Sequence, residues 1–467
     1  MKSSIIFGII FLLFLCVLFS QENMDELKLY EGDTVEVSIE KPAYTIQDSV
    51  SDGDEISQSI LEEIRLLSPA VYFTSRALMG YGVASGAAGK INMFGLGGSP
   101  TSQIAFLQDG DPLFMGLMGH PVYDALDVFG MGTIELTEGA SPVKYGTGAM
   151  GGVIDIKTPR PTGEGVKAGI YTDVGEFTSL NNAANILAKY GNFDTGLKYS
   201  TQHTEGYREN ANDMFTSQRY GGHLGFRTNN DDIFFSAQND WFEVYDPGME
   251  SSPNDSNWYR INRAHLHLKW QHNMNNIQTK LGAFRHTGTH TIYDGYRGND
   301  LSWGISLLGT YIMQDSELGL KFSTIQMGGN AKNINYGTDF GEHWATEYQV
   351  SAWGDKTLGN LFLRAGLATF YRNSYPPHIS PEIYTSYKIT GSERIYLKIA
   401  NGFRFPTLRE IAVFPWSNED LEPENSWTGH IGVKTSRNIV EGKLQLWTTR
   451  ANNLIIDGYP GNPFANS

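Results

Sequence analysis

The chain has 467 residues, with 35 Lys and Arg against 51 Asp and Glu, a formal net charge of −16. That balance argues against nucleic acid as a partner, because phosphate backbones are held by clustered Lys and Arg, and suits a cell-surface protein or an acidic soluble one. The single cysteine, Cys16, lies in the first apolar run, so a chain cleaved after that run has no disulfide, thiolate metal site or cysteine redox chemistry.

Residues 1–20 combine one basic residue, a long apolar run and the small Ser20, the layout of a signal peptide cut before Gln21. An uncleaved anchor is the alternative, since the run is near the length that spans a bilayer. A lipid-modified Cys16 is disfavoured by Leu15, which is not small. Residues 21–55 are polar and acidic and read as a flexible lead, with one β-prone run made of Asp33, Thr34, Val35, Glu36 and Val37. Ile56, Ile60, Leu61, Ile64 and Leu67 then recur at helical spacing, and Pro69 stops the helix.

After a glycine-rich loop and the run INMFGLGG at residues 91–98 come IAFLQDGDP (residues 104–112) and IELTEGASPVKYGTGAMGGVIDIKT (residues 134–158). Both are short apolar strands ending in glycine turns. Glycine at this density serves backbones that turn at positive φ or approach a surface closely. No Gly-Lys-Ser/Thr follows, so this is not a phosphate loop. Between them, DGDPLFMGLMGH offers Met115, Met118 and His120 as a soft tip suited to a copper chelate or a hydrophobic ligand. The plainer reading is a packed loop whose methionines fill gaps.

From residue 162 the period changes to two. Tyr220, Gly222, Leu224 and Phe226 alternate with Arg219, His223 and Arg227, and Ile383, Thr385, Tyr387 and Ile389 face Ile395, Leu397 and Ile399 across a Gly391-Ser392 turn. An antiparallel sheet with one apolar and one polar face gives this pattern, as a barrel or as a sandwich. With 24 Tyr, 25 Phe, 9 Trp and 52 Gly, the composition suits an outer-membrane barrel, where every second residue faces lipid. Polar stretches at residues 244–259 and 287–303 are expected to be long loops on one rim. His265 and His267 share a strand face and can hold a metal only with a third ligand, which the sequence does not identify. No metal, cofactor or catalytic set is assigned, and no nucleophile, HExxH or phosphate-cradling motif appears, so the chain is expected not to be an enzyme.

Tyr145, Gly146, Ala149, Gly151, Gly152, Val153, Ile154 and Ile156 resemble the YGxxAxGGVIxI close of the plug domain of TonB-dependent outer-membrane receptors. Phe403, Arg404, Pro406, Thr407, Arg409 and Glu410, then Leu421, Pro423 and Glu424, resemble a second signature of that family near the end of its barrel. The resemblance implies a mainly β protein, with an α+β plug (residues 56–161) inside a transmembrane antiparallel β-barrel (residues 162–467). It implies uptake of a scarce nutrient complex, such as a siderophore–iron complex, cobalamin, haem or another metal chelate, across the outer membrane of a Gram-negative-type bacterium. It casts residues 33–37 as a Ton box that adds a strand to a periplasmic TonB-type energy-coupling protein. An ordinary strand or coil is the other reading of those five residues.

Three departures qualify the resemblance. Phe94 and Glu138 stand where the family has arginines that face carboxylates on the barrel wall. Alternation supports about 15 strands where about 22 are expected, so C-terminal strands are expected to be missing, with a smaller closed barrel as the alternative. A non-transporting surface binding protein of the same fold, or a non-functional remnant, therefore stands beside active uptake.

Overall fold

A computed structural model describes residues 45–49, 60–73, 77–80, 90–98, 101–126, 129, 132–437, 440–456, 458 and 461–467. The signal segment and the run from Asp33 to Val37 lie outside these residues.

The N-terminal part builds its core from short strands. In chain order these are β1 (Thr45–Ser49), helix α1 (Ile60–Leu67), β2 (Val71–Phe73), β3 (Ile91–Met93), β4 (Ile104–Gln108), β5 (Asp111–Pro112), β6 (Thr133–Glu138), helix α2 (Pro142–Tyr145) and β7 (Gly152–Lys157). Five of them form one sheet in the order β1-β6-β7-β4-β5. Strand β4 runs parallel to β7, so the two glycine-rich motifs lie side by side, with Ile104 opposite Gly152 and Gln108 opposite Ile156. Parallel strands are usually covered on both faces and read as unbroken apolar runs. Accordingly, all five residues of β4 are buried. Ile64 of α1 packs with Ile104, Phe106, Ile134, Leu136 and Ile154 in this core. The helix stops before Pro69, as its sequence predicts. The stretch expected to be a flexible lead is partly structured, because β1 pairs antiparallel with β6 from Thr45–Thr137 to Ser49–Thr133.

The chain from Gly165 to Asn452 is wall. Its strands are β8 (Gly165–Gly175), β9 (Ser179–Tyr190), β10 (Phe193–Thr204), β11 (Phe215–Arg227) and β12 (Asp231–Tyr245). After a small hairpin, β13 (Gly248–Met249) with β14 (Ser252–Pro253), come β15 (Trp258–Met274), β16 (Ile277–Ile292), β17 (Tyr296–Met313), β18 (Ser316–Asn333) and β19 (Thr338–Leu358). The last are β20 (Leu361–Arg372), β21 (His378–Lys388), β22 (Glu393–Arg404), β23 (Glu424–Arg437) and β24 (Val440–Asn452). Together they make a 15-stranded antiparallel meander, the number that alternation supports. Among the described residues no ladder joins β8 to β24.

Alternation places the side chains as expected. Tyr220, Leu224, Ile383, Ile395, Leu397 and Ile399 point outward and are exposed, while Arg219, His223, Tyr384, Tyr396 and Lys398 are buried on the inner face. No helix among the described residues is long and apolar enough to cross a membrane. The outward apolar row has the form of the lipid band of a wall that crosses with strands. One expectation fails. Residues 287–303 are not a loop but the paired ends of β16 and β17, leaving a short turn at residues 293–295. Glycine and polar side chains there mark strand that continues past the apolar band, where no lipid selects for hydrophobic residues.

Candidate functional site: where plug meets barrel

The Asp-Gly turn after β4 holds the two plug motifs together. Asp109 sits at a left-handed φ of 52°, and its carboxylate accepts from Thr158 N at 2.8 Å and Thr158 Oγ1 at 2.7 Å. Gly110 N donates to Asp155 Oδ1 at 3.0 Å. The next residue faces the wall: Asp111 accepts from His267 Nδ1 at 2.9 Å and pairs with Lys269. Burial alone raises the Asp111 carboxyl, but the His267 hydrogen bond and the Lys269 ammonium outweigh it and hold it below the usual carboxylate range.

The two missing arginines have local answers. Glu138, at the end of β6, is buried; Ser68 Oγ donates to its Oε1 at 2.8 Å and Lys443 of β24 pairs with its Oε2. Lys398 of β22 donates to the Glu138 carbonyl at 3.1 Å and to Ser141 Oγ at 2.6 Å. The charge on the plug is reversed, and the wall facing it is reversed as well. Phe94 makes an aromatic contact in place of a charged one. It lies edge-on to His430 at 4.7 Å and to Trp447 at 5.4 Å between ring centres, and Thr449 Oγ1 donates to its carbonyl at 3.0 Å.

The second signature folds into a buried ion cluster. Arg404 Nε donates to Glu424 Oε2 at 2.6 Å, and its terminal nitrogens donate to Glu410 at 2.8 and 2.9 Å. Thr407 N donates to the same Glu410 at 2.6 Å. The plug docks on this cluster through Gln103 Nε2, 2.9 Å from Glu424 Oε2. Closer contact needs glycine: a Cβ on Gly139 (φ +71°) would sit 2.3 Å from His430 Nε2.

The comparisons with known proteins agree with this geometry. The profile described as "TonB-dependent Receptor Plug Domain" matches residues 51–153, and "TonB dependent receptor-like, beta-barrel" matches residues 168–467. The chain belongs to the TonB-dependent receptors. The Vitamin B12 transporter BtuB of Photobacterium profundum is 20% identical over 401 residues, covering 81% of this chain and 64% of that protein. The copper transporter OprC superposes with a TM-score of 0.75 at 12% identity, covering 91% of this chain and 74% of that one. The siderophore receptor PirA from Acinetobacter baumannii gives a TM-score of 0.72 at 14% identity, covering 94% and 76%. At these identities the solved structures show the shared fold alone. The chain spans about 64% of the length of the curated relative.

In this receptor the tip loop expected to meet substrate is packed rather than presented. Met115 and Met118 are buried with Tyr259, Tyr296, Leu408 and Val413, and Asp300 Oδ1 accepts from Gly116 N at 2.8 Å. His120 Nδ1 lies 2.8 Å from the Pro121 carbonyl, and burial pushes its imidazole down to about 4. Beside the plug, a cavity of about 140 Å³ is lined by Thr147, Lys321, Glu347, Arg372, Arg404 and Thr407. Sequence reasoning singled out Arg404, Glu410 and Glu424 through their motif but missed Lys398 and Lys443. Nothing local marks a lysine as the partner of a glutamate some 300 residues earlier; only the reversed sign at Glu138 asks for one.

Proposed function

We propose that this receptor takes up a scarce nutrient complex across the outer membrane of a Gram-negative-type bacterium, with energy from a TonB-type protein that engages residues 33–37. The observation that carries the reading is a plug lodged within the wall and fastened to it by separable side-chain contacts: Glu138–Lys443, Asp111–Lys269 and Gln103–Glu424. Passage of a complex past a plug held in this way requires those contacts to break and the plug to move or remodel, and that work must be supplied. The relatives' names cover vitamin B12, copper and siderophores, which supports the general class of a scarce nutrient complex without choosing within it. Glu138 and Phe94, the residues that favoured a non-transporting surface binder, both meet wall partners of matching chemistry.

The test is uptake in cells that express the chain and lack other receptors, using labelled cobalamin, a ferric siderophore and a copper chelate. At least one is taken up, and deleting residues 33–37 abolishes that uptake while surface binding persists. Uptake that survives the deletion refutes the energy-coupling role. Binding without uptake by the intact chain returns the non-transporting reading.

A further inference from the structure

The cavity beside the plug has a graded lining. Strand β18 contributes every second residue to it, in the order Lys321, Ser323, Ile325 and Met327. The surface therefore passes from charged through hydroxyl to apolar over about 20 Å of strand. Leu113 and Phe114 of the plug and Phe284 and Phe370 of the wall add further apolar surface.

The charged end is short of partners. Lys321 Nζ donates to the Lys144 carbonyl of the plug at 2.7 Å, and among the described residues it pairs with no carboxylate. The acids that border the cavity are taken. Asp111 is held by Lys269 and His267, and Glu347 by Thr147 Oγ1 at 2.9 Å and Arg372 at 3.7 Å. Arg404 is likewise engaged by Glu410 and Glu424. Two of the three ammonium donors of Lys321 are thus left without a protein acceptor. Ser306, opposite Ser323 on β17, brings to the same cavity a hydroxyl that no described residue engages. A charge inside a protein is normally paired, and a ligand pocket is typically an apolar slot with a few convergent polar groups.

We propose that this cavity binds one small organic carboxylate with a compact apolar body, its carboxylate on Lys321 and Ser306 and its body against Ile325, Met327 and Phe284. The volume of about 140 Å³ sets the size, since an apolar cavity of about 150 Å³ admits one benzene. One unpaired ammonium matches one negative charge. Both arginines are engaged, which disfavours a phosphate dianion, a group that calls for a free guanidinium fork. The same volume excludes the nutrient complexes considered above, so the occupant is a free acid and the site does not rest on the uptake reading. Lys321 belongs to the wall and Lys144 and Thr147 to the plug, so the bound acid touches both and stabilises their contact by mass action.

The experiment uses the purified full chain in detergent, titrated with para-fluorobenzoate and followed by fluorine NMR, with protein-free micelles as the reference. One probe binds per chain, benzoate competes for it, and the acid raises the melting temperature. Para-fluorobenzyl alcohol, the same body without the charge, binds more weakly by at least about tenfold, as does the acid to Lys321→Met. Lys280→Met, on β16 and outside the cavity lining, changes nothing. Melting curves show whether Lys321→Met is folded; if it is not, Lys321→Gln is measured in its place. The proposal is overturned if the probe does not saturate at one per chain, if a folded Lys321 variant binds it as the parent does, or if the alcohol binds as well as the acid. In each of those cases Lys321 faces water and anchors no ligand.

Discussion

Glu138→Gln tests whether the reversed charge pair fastens the plug. The substitution keeps the volume of the side chain and leaves an amide oxygen for Ser68 Oγ, so only the charge facing Lys443 is lost. Removing one partner of a fully buried pair costs about 3–5 kcal/mol, while an exposed pair contributes about 0–1 kcal/mol. The Glu138 side chain is 2% exposed and that of Lys443 is 21% exposed, which places the expected cost between these limits, at about 2 kcal/mol. A loss of that size raises the population of locally opened plug by roughly 30-fold. Amide hydrogen exchange over β6 reads it directly, because ladder protection falls with the local opening free energy. Lys443→Met gives a similar loss, and the double variant loses less than the sum. Glu138→Arg, which restores the family's usual residue, does worse than Gln: it sets a guanidinium against an ammonium, a repulsion of about 4 kcal/mol at 4 Å and an effective dielectric of 20. Adding Lys443→Glu recovers most of it. Exchange over β6 that changes less than about twofold in Glu138→Gln would falsify the latch.

Two further outcomes follow from the plug interface. Gly139→Ala lowers the melting temperature, because the new methyl meets His430 at a left-handed backbone position; the cost is about 1–3 kcal/mol, and His430→Ala returns only the clash portion, so full recovery would show that backbone strain is absent. Acidification loosens the plug tip through His120: its imidazole is held neutral, down to about 4 against an ordinary 6.5, so its contribution is intact above pH 6.5 and is lost as the pH falls toward 4. The opening equilibrium of the tip, read from amide exchange corrected for the intrinsic rate at each pH, rises by up to about tenfold per unit of acidification across that window, and the same slope in His120→Gln would remove His120 as the cause.

The fold was legible because both signals are local. Period-two alternation found the strands from residue 162 onward, and the glycine close from Tyr145 to Ile156 marked the plug. The side chains that join the two parts were harder to read. Glu138 and Phe94 stood out only as departures, and their partners Lys443, Lys398, His430 and Trp447 became visible once strand register was known. The setting of His286 opposite His265 is a clear example. Its run, RHTGTHT, alternates as a strand and puts His286 and His290 on one face, so a period-two reading identifies the face. Which neighbouring residue lies opposite depends on the register. That register also explains why residues 287–303 misled: composition tracks the lipid boundary, whereas hydrogen bonding does not end there.

The short ladder between β1 and β6 has a mechanical consequence. Its first rung, Thr45 to Thr137, is where the chain enters the plug sheet, one residue from Glu138. Tension on the chain ahead of Thr45 therefore reaches the sheet at the edge nearest that latch, before it loads the remaining four rungs. Strand and ion pair are then strained in sequence and not together, and sequential failure needs less peak force than simultaneous rupture.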